Sequence, residues 1–585
     1  MKKTGRAFWI RVGIIVSAAV ILLLGGIVSA FMPLINKPAS PTATATSIPP
    51  TASPVPAETI ETSQTNTYYV SPVSGSDSNP GSIVQPWKTV QHAVDSVVPG
   101  DTIYLREGVY EEQVIITTSG LSDLPITLTS YFGETATIDG RKNYSTCDYD
   151  KESPAISSSG NVSYWIIQNL NIQNICSTYS IRFGWFGEAV TNHITISNNR
   201  IKGAIFTVGN YQLIEGNSID GTGYSSSSGS GGINDSFGGY SIPNDTNVDD
   251  NTHHNIYRNN YIHSFSNYHA RGIWTQGRTH DSIIEGNTIE NIWSTGLGQC
   301  IDLDGAGNIQ WRQTVRNNNS KDCSYVGIQL ENVFDSLVEN NRVFAEKGGS
   351  AGMIIINYSA SIGCGVGGEN DQYGDINGDN NCKGDITNNI IRQNLVYKQG
   401  SWDPGYGALV NWSVGGLKIL GNTFYATEAN LNGAINFQDT AVNTSQAVIQ
   451  NNIFYNGGGS AICVQDLASF DMDNHNLLYR SNGDDVYGTG KNCFATYSLS
   501  SYQLATGQGQ GSVQANPLFV NESLGDFHLQ PSSPAIDAGT DIGINVDFDG
   551  NTRPQGSGFD IGVYEYIVNT TNTSIPQATT ATSVP

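Results

Sequence analysis

The sequence predicts an all-β solenoid, and three observations carry that reading. A bend of Asn-Asn or Gly-Asn recurs between short apolar strands, as in Ile194-Thr195-Ile196-Ser197-Asn198-Asn199-Arg200-Ile201 and Leu213-Ile214-Glu215-Gly216-Asn217-Ser218-Ile219. A second phrase recurs between the bends: a small residue, then apolar alternation, as in Gly272-Ile273-Trp274, Cys300-Ile301-Asp302-Leu303 and Gly327-Ile328-Gln329-Leu330. The spacing is that of stacked coils. The second bend residue falls at 199, 217, 260, 287, 318, 341, 389, 422 and 452, giving intervals of 18, 43, 27, 31, 23, 48, 33 and 30. The short intervals suit one coil, and the long ones read as a coil with an inserted loop or as two coils with one bend degenerate.

Asn and Gly enter the left-handed backbone region cheaply, so the repeated doublet marks one repeated turn. Each coil offers at least two strands with one apolar face inward. Stacking pairs each strand with its equivalents above and below. Asn side chains at equivalent bends can then form an amide ladder through the interior. The apolar segments between Gly, Asn and Ser clusters are too short for amphipathic helices. A sandwich or propeller would show two-residue hairpin turns, which the coil-length separations do not provide.

Along the chain, residues 1–36 open with Met1-Lys2-Lys3 and Arg6, followed by an apolar stretch of 24 positions from Val12 to Ile35. That length spans a bilayer and the basic flank places the N-terminus inside. A cleavable signal is the alternative, because Val28-Ser29-Ala30 has a small-residue cleavage pattern. Either predicts export. Residues 37–66 are rich in Pro, Thr, Ser and Ala and form a tether, and 568–585 form a Thr-rich tail. Between them the reading places a cap with the first coils at 67–140, the solenoid at 141–510 and a closing segment at 511–567. An amphipathic stretch from about Trp87 to Val98 supplies a short N-terminal capping helix, since an open solenoid end exposes unpaired strand edges.

The N-terminal run Tyr68-Tyr69-Val70-Ser71-Pro72, Gly75-Ser76-Asp77, Asn79-Pro80-Gly81, Pro86-Trp87-Lys88-Thr89-Val90-Gln91-His92-Ala93-Val94, Pro99-Gly100-Asp101-Thr102-Ile103-Tyr104-Leu105 and Thr137-Ile138-Asp139-Gly140 resembles a DUF1565-type segment. The stretches Asn516-Pro517-Leu518-Phe519, Ser533-Pro534-Ala535-Ile536-Asp537-Ala538-Gly539 and Asp560-Ile561-Gly562-Val563-Tyr564-Glu565-Tyr566 resemble the closing segment of exported β-helix proteins. The chain is thus similar to right-handed parallel β-helix proteins of the pectate-lyase-like superfamily, over roughly residues 68 to 566. The resemblance implies a right-handed coil and polysaccharide as partner. It transfers no catalytic residue. The Asn-Thr-Asp and Gly-His-Gly motifs of polygalacturonase-like hydrolases and the Trp-Ile-Asp-His motif of pectate lyases do not occur.

Eight cysteines, Cys147, Cys176, Cys300, Cys323, Cys364, Cys382, Cys463 and Cys493, predict disulfides in an exported chain, with sequential pairing the simplest of roughly 105 connectivities. The net charge of −24, from 28 basic and 52 acidic residues, excludes nucleic acid as a partner. It also calls for a bridging cation if the glycan is acidic, and Ca²⁺ is the extracellular choice.

With Ile301 and Leu303 inward, Asp302 and Asp304 face outward, as do Gln329 and Glu331 on the next coil and Trp274 on the preceding one. Strands about 4.8 Å apart would set Asp302 between Trp274 and Gln329, and Asp304 beside Glu331. Paired carboxylates at such spacing can act as acid and base or nucleophile toward a glycosidic bond. The same Asp302, Asp304 and Glu331 could instead ligate Ca²⁺. Trp274 and Gln329 are candidate sugar contacts, and His269, Arg271 and Lys321 candidate bases or charge-neutralising groups. Two further acidic runs resemble Ca²⁺ loops. The run Asp375, Asn377, Asp379 lacks the EF-hand glycine and terminal acid, and Asp547-Phe548-Asp549-Gly550-Asn551 reads equally well as a tight turn. The expected protein is a monomeric, surface-tethered β-helix that engages extracellular polysaccharide as a lyase or glycosidase. A non-catalytic glycan-binding, adhesion or structural surface protein is the alternative.

Overall fold

The computed structural model describes residues 65–568 apart from 142–152, 175, 186–188, 224–230, 238–251, 278, 295, 306–309, 346–350, 358–387, 399–405, 413–415, 428–432, 439–446, 465–466, 468–469 and 491–492. The predicted anchor, the tether up to residue 64 and the tail beyond residue 568, together with Cys147, Cys364, Cys382 and the 375–379 run, lie outside the described residues. Among the described residues no helix is long and apolar enough to cross a membrane.

The described chain winds through three long sheets, one strand of each per coil. The first contains 15 strands and runs from Thr67–Val70 to Phe470–Asn474, while the second and third contain 14 each, beginning at Gly108–Tyr110 and Val114–Ile116. Pairing within the long sheets is parallel except where the third closes on Ala495–Tyr497. This is the right-handed parallel β-helix expected from the sequence. A fourth sheet of 4 short strands fills the corner between the third sheet and the next coil's first. The core is a set of stacked columns: Ile196, Ile214 and Tyr257 on the first sheet, Ile201, Ile219 and Ile262 on the second, Ile205, Ile233 and Ile273 on the third, all at 2 % exposure or less.

The repeated doublet splits into two roles. Its first residue takes the left-handed conformation, with φ of 55° at Asn198, 65° at Gly216 and 55° at Asn259. Its second enters the predicted ladder. The Asn217 Oδ1 accepts from the Asn199 backbone N–H at 3.0 Å and from its Nδ2 at 3.1 Å, and Asn260 does the same for Asn217. The ladder passes through Asn287, Asn318, Asn341, Asn394, Asn422, Asn452 and Asn476. Asn389 is not in it, which corrects one bend position. The left-handed residue there is Gln393 (φ 51°) and the ladder member is Asn394. Asn389 belongs instead to a second buried ladder at the opposite corner, through Gln212, Asn255, Ser282, Gln313 and Ser336. Asn217 bonds Asn260 directly across 43 residues, so the long interval is one coil with an insertion.

The N-terminal end is capped by the helix Val90–Ser96, whose Thr89 side chain caps it and whose Val90, Ala93 and Val94 are buried. A second helix, Leu499–Thr506, not read from the sequence, covers the other end and stacks Tyr502 on Tyr487 at 3.7 Å. The C-terminal segment adds no coil. It folds back over the outer face of the second sheet, packing Phe519, Phe527, Leu529, Ile561 and Val563 on Leu395, Tyr397, Tyr425 and Ile453.

Cys300 pairs with Cys323 and Cys463 with Cys493, as sequential pairing predicts, with Cα separations of 5.7 and 5.6 Å. Cys176 is also disulfide-bonded. The Asp547 run is a turn: its carboxylate accepts from the backbone N–H of Asp549, Asn551 and Glu565 and from the Asn551 side chain.

Candidate active site on the third sheet

Three consecutive third-sheet strands, Arg271–Gly277, Gln299–Asp304 and Val326–Glu331, carry most of the candidate residues. Their small residues have a physical reason. A Cβ on Gly272 would lie 2.4 Å from Ile289 Cγ2, and one on Gly327 2.2 Å from Val343 Cγ1, so the chain turns the corner directly against a second-sheet side chain. Cys300 occupies the equivalent position and, like Ile301, is in the core. Strict alternation is therefore reset there, and resumes with Ile301 and Leu303 inward.

The register aligns Trp274 with Asp302 and Asp302 with Gln329, and Gln276 with Asp304 and Asp304 with Glu331. These positions leave the core, but they are not a solvated face. Asp302 is 1 % exposed and Asp304 7 %, because their neighbours' long side chains lie over them. Arg271 donates from Nε to Asp302 Oδ2 at 2.7 Å, and its second terminal nitrogen lies 3.9 Å from Asp304 Oδ2. The same guanidinium lies over the Trp274 ring, 4.0 Å from its centroid, while the indole N–H donates to Asp304 at 3.2 Å. Gln299 donates to Gln329, and Gln329 to Glu331 at 2.9 Å. Asp302 Oδ1 is buried with no hydrogen-bond partner.

One guanidinium faces three carboxylates, and the electrostatics follow. Burial pushes the Glu331 carboxyl up to about 8, reinforced by the charges of Asp304 and Asp302. Burial likewise raises Asp302 to about 7 against the opposing pull of Arg271. Both hold a proton far more readily than free carboxylates do. Glu331 and Trp274 are both partly exposed, at the edge of this network.

The remaining candidates divide. His269 is partly exposed just before the Arg271 strand, stacked on Tyr268 at 4.4 Å, and burial with the Arg271 charge lowers its pKa. Lys321 stands apart, on the second-sheet strand Asn319–Cys323 between Glu290 and Phe344, so it is not on the face that carries the carboxylates. Sequence reasoning missed Gln299, whose side chain ties Gln329 into the network. The reset at Cys300 conceals its outward direction. It also missed Tyr325, near enough for Asp302 and Glu331 to raise its pKa after burial has done so.

The description "Pel9A-like, right handed beta helix region" matches residues 68–273. Within those residues the chain is similar to a Pel9A-like right-handed β-helix. The match ends within the Arg271 strand, before the three carboxylates. An uncharacterized Bacillus subtilis protein, YwoF, is 26% identical over 504 residues, covering 80% of this chain and 91% of that protein. Pectate lyase PEL9 of Emericella nidulans is 35% identical over 141 residues, 22% of this chain and 33% of the enzyme. Among solved structures, pectate lyase Pel9A is 15% identical with a TM-score of 0.40, covering 86% of this chain and 97% of that one. A mannuronic acid specific family 6 polysaccharide lyase from human gut microbiota is 14% identical with a TM-score of 0.48, covering 78% and 93%.

Proposed function

We propose that this chain is an exported, carbohydrate-active β-helix protein that cleaves glycosidic bonds in a polysaccharide at the Arg271–Asp302–Asp304–Glu331 cluster. The observation that carries the reading is the in-register pair Asp304 and Glu331 on adjacent strands, with the Arg271 guanidinium beside Asp304 and a tryptophan at the rim. Adjacent strands lie about 4.8 Å apart, close to the ~5–5.5 Å between the carboxyls of a retaining glycosidase. Glu331, protonated at neutral pH, would donate its proton to the leaving glycosidic oxygen as the bond to the anomeric carbon breaks. Asp304 would attack that carbon, and water, deprotonated by Glu331, would release the sugar. Trp274 offers its ring to a sugar face. Arg271, fixed against Asp302, neutralises charge rather than acting as a base. With Lys321 on another sheet, two-carboxylate hydrolysis is favoured over elimination with a Lys or Arg base.

The similarity to a pectate lyase brings Ca²⁺ into consideration. The orphaned Asp302 Oδ1 is an oxygen available to ligate, but the oxygens of Asp302, Asp304 and Glu331 are not gathered within 4.8 Å of one another. Arg271 already supplies a positive charge between the two aspartates. As arranged, the trio does not fit a Ca²⁺ ion, and no step is routed through one.

The burial of Asp302 and its pairing with Arg271 also favour a second reading: a rigid, non-catalytic glycan-binding surface presented outside the cell by the N-terminal segment. A polysaccharide panel scored for new reducing ends and for unsaturated uronate separates the two. Loss of reducing-end release in Glu331→Gln and Asp304→Asn, at roughly 10²-fold or more, supports the active site. Glycan binding without turnover, or turnover indifferent to both substitutions, overturns it.

A further inference from the structure

Away from the carboxylates, the corner between the third and first sheets carries a cluster of histidines that the glycosidic reading does not use. The short strands Thr252–His253 and Thr279–His280 pair in register, and His280 stacks between His253 (ring centroids 4.9 Å, 26° between planes) and Trp311 (4.6 Å, 15°). The residues that follow, His254 and Asp281, both adopt the left-handed conformation, at φ of 55° and 54°, and sit one coil apart at the same bend. Here the solenoid repeat brings together chemistry that is distant in sequence.

We infer that His254, His280 and Asp281 form a binding site for a divalent transition-metal cation of the Zn²⁺ class. One ligand atom from each lies within 4.8 Å of the others, and among the described residues this is the group of His, Cys, Asp or Glu side chains so gathered. Zinc bonds of about 2.0–2.2 Å would set tetrahedral ligand atoms about 3.4 Å apart, so modest closure of the present spacing suffices. His280 Nδ1 is already 2.7 Å from Asp281 Oδ2, an edge the ion would take over from their hydrogen bond.

The surroundings are those of a built site. His280 is 8 % exposed and its Nε2 is buried with no hydrogen-bond partner, so the ring's polar contact runs through Nδ1 toward Asp281. Stacking on both faces fixes the ring plane, which removes the rotamer cost of binding. Arg312 holds Asp281 from the next coil, Nε to Oδ1 at 2.7 Å and its terminal nitrogen to Oδ2 at 2.6 Å. The ion would displace the second of these bonds and leave the first to orient the carboxylate from the outer shell. His254 is exposed and closes the site from the solvent side, and His253 Nδ1 lies 2.7 Å from His254 Nδ1, in place to position it. Two imidazoles and one carboxylate select Zn²⁺, Cu²⁺ or Ni²⁺ over Ca²⁺, which prefers an all-oxygen set.

The test is calorimetric titration of the untagged, chelator-treated full chain with ZnCl₂, alongside Co²⁺ absorption spectra. The expected result is one Zn²⁺ per chain at micromolar or tighter Kd, and a Co²⁺ visible spectrum that Zn²⁺ quenches. The exposed His254→Gln, which removes a ligand without emptying the core, is expected to weaken binding at least tenfold. The remote His92→Gln leaves it unchanged. Binding only at millimolar Zn²⁺, equal binding by His254→Gln, or equal competition by Ca²⁺ overturns the assignment.

Discussion

At Asn287 one side chain serves four buried groups. Its Oδ1 accepts from the Asn260 backbone and side chain, and its Nδ2 donates to Tyr257 O and Asn318 Oδ1, all at 2.8–3.0 Å. Asn287→Ala removes all four bonds and leaves the Asn260 backbone N–H unmet away from water, an orphaned group alone costing about 1–3 kcal/mol, and the sum is expected to exceed about 3 kcal/mol in denaturant titration. A loss below about 1 kcal/mol would mean the coils relax around the gap. Glu331 bears on activity: with its carboxyl pushed up to about 8, general-acid catalysis of hydrolysis should fall away above that pH. A pH–rate profile flat through pH 9 would remove Glu331 from the acid role. The ladder asparagines are legible in the sequence because the left-handed bend and the buried amide select the same doublet. Asn388-Asn389 shows the limit. Asn388 is also left-handed, at φ 49°, so the doublet looks identical locally while serving the opposite corner.

Among elements, the third-sheet strands explain what was visible and what was concealed. Small residue followed by alternation marks each strand start, because a second-sheet side chain fills the space a Cβ would need at Gly272 and Gly327. The register that places Asp304 beside Glu331 follows from aligning those small residues. Burial does not, because Arg271, Trp274 and Gln329 cover the aspartates by side-chain paths that no periodicity encodes. The His254–His280–Asp281 group escaped notice for a related reason: its members come from adjacent coils at a corner with no apolar rhythm. Cys300–Cys323 ties the central carboxylate strand to the end of a second-sheet strand across 23 residues. The double variant Cys300→Ala, Cys323→Ala should retain the fold and lose about 2–4 kcal/mol by chemical denaturation. Unchanged stability would show that the stacked sheets alone hold this corner.

Across the whole molecule, buried acids set the pH response. Burial raises Asp235 to about 7, Asp302 to about 7 and Asp473 to about 6, each from an ordinary value of 3.8. A carboxyl whose folded value is raised contributes stability that is complete below the unfolded value and lost as pH rises through the folded one. Asp281, lowered to about 2 chiefly by its hydrogen bonds from Arg312, acts in the other direction and is lost only as pH falls toward 2. With a net charge of −24 adding self-repulsion at high pH, thermal stability should peak in mild acid, near pH 4–5, and fall through pH 7. Asp235→Asn should flatten the upper part of that fall, whereas a melting temperature rising from pH 5 to 8 would contradict it.

The asparagine ladder also gives the solenoid a sense of direction. Every member from Asn199 to Asn452 donates toward the following coil and accepts from the one before, so the side-chain amides form one head-to-tail row. Their dipoles add along the axis, with the positive end toward the C-terminus. The row ends where Asn476 donates to Asp473 Oδ1 at 2.7 Å, a carboxylate set at that positive end. The interior therefore behaves as an axial dipole of side chains terminated by an acid, much as a helix N-terminus is by its capping aspartate. A coil inserted without its asparagine would cut this row into two shorter dipoles.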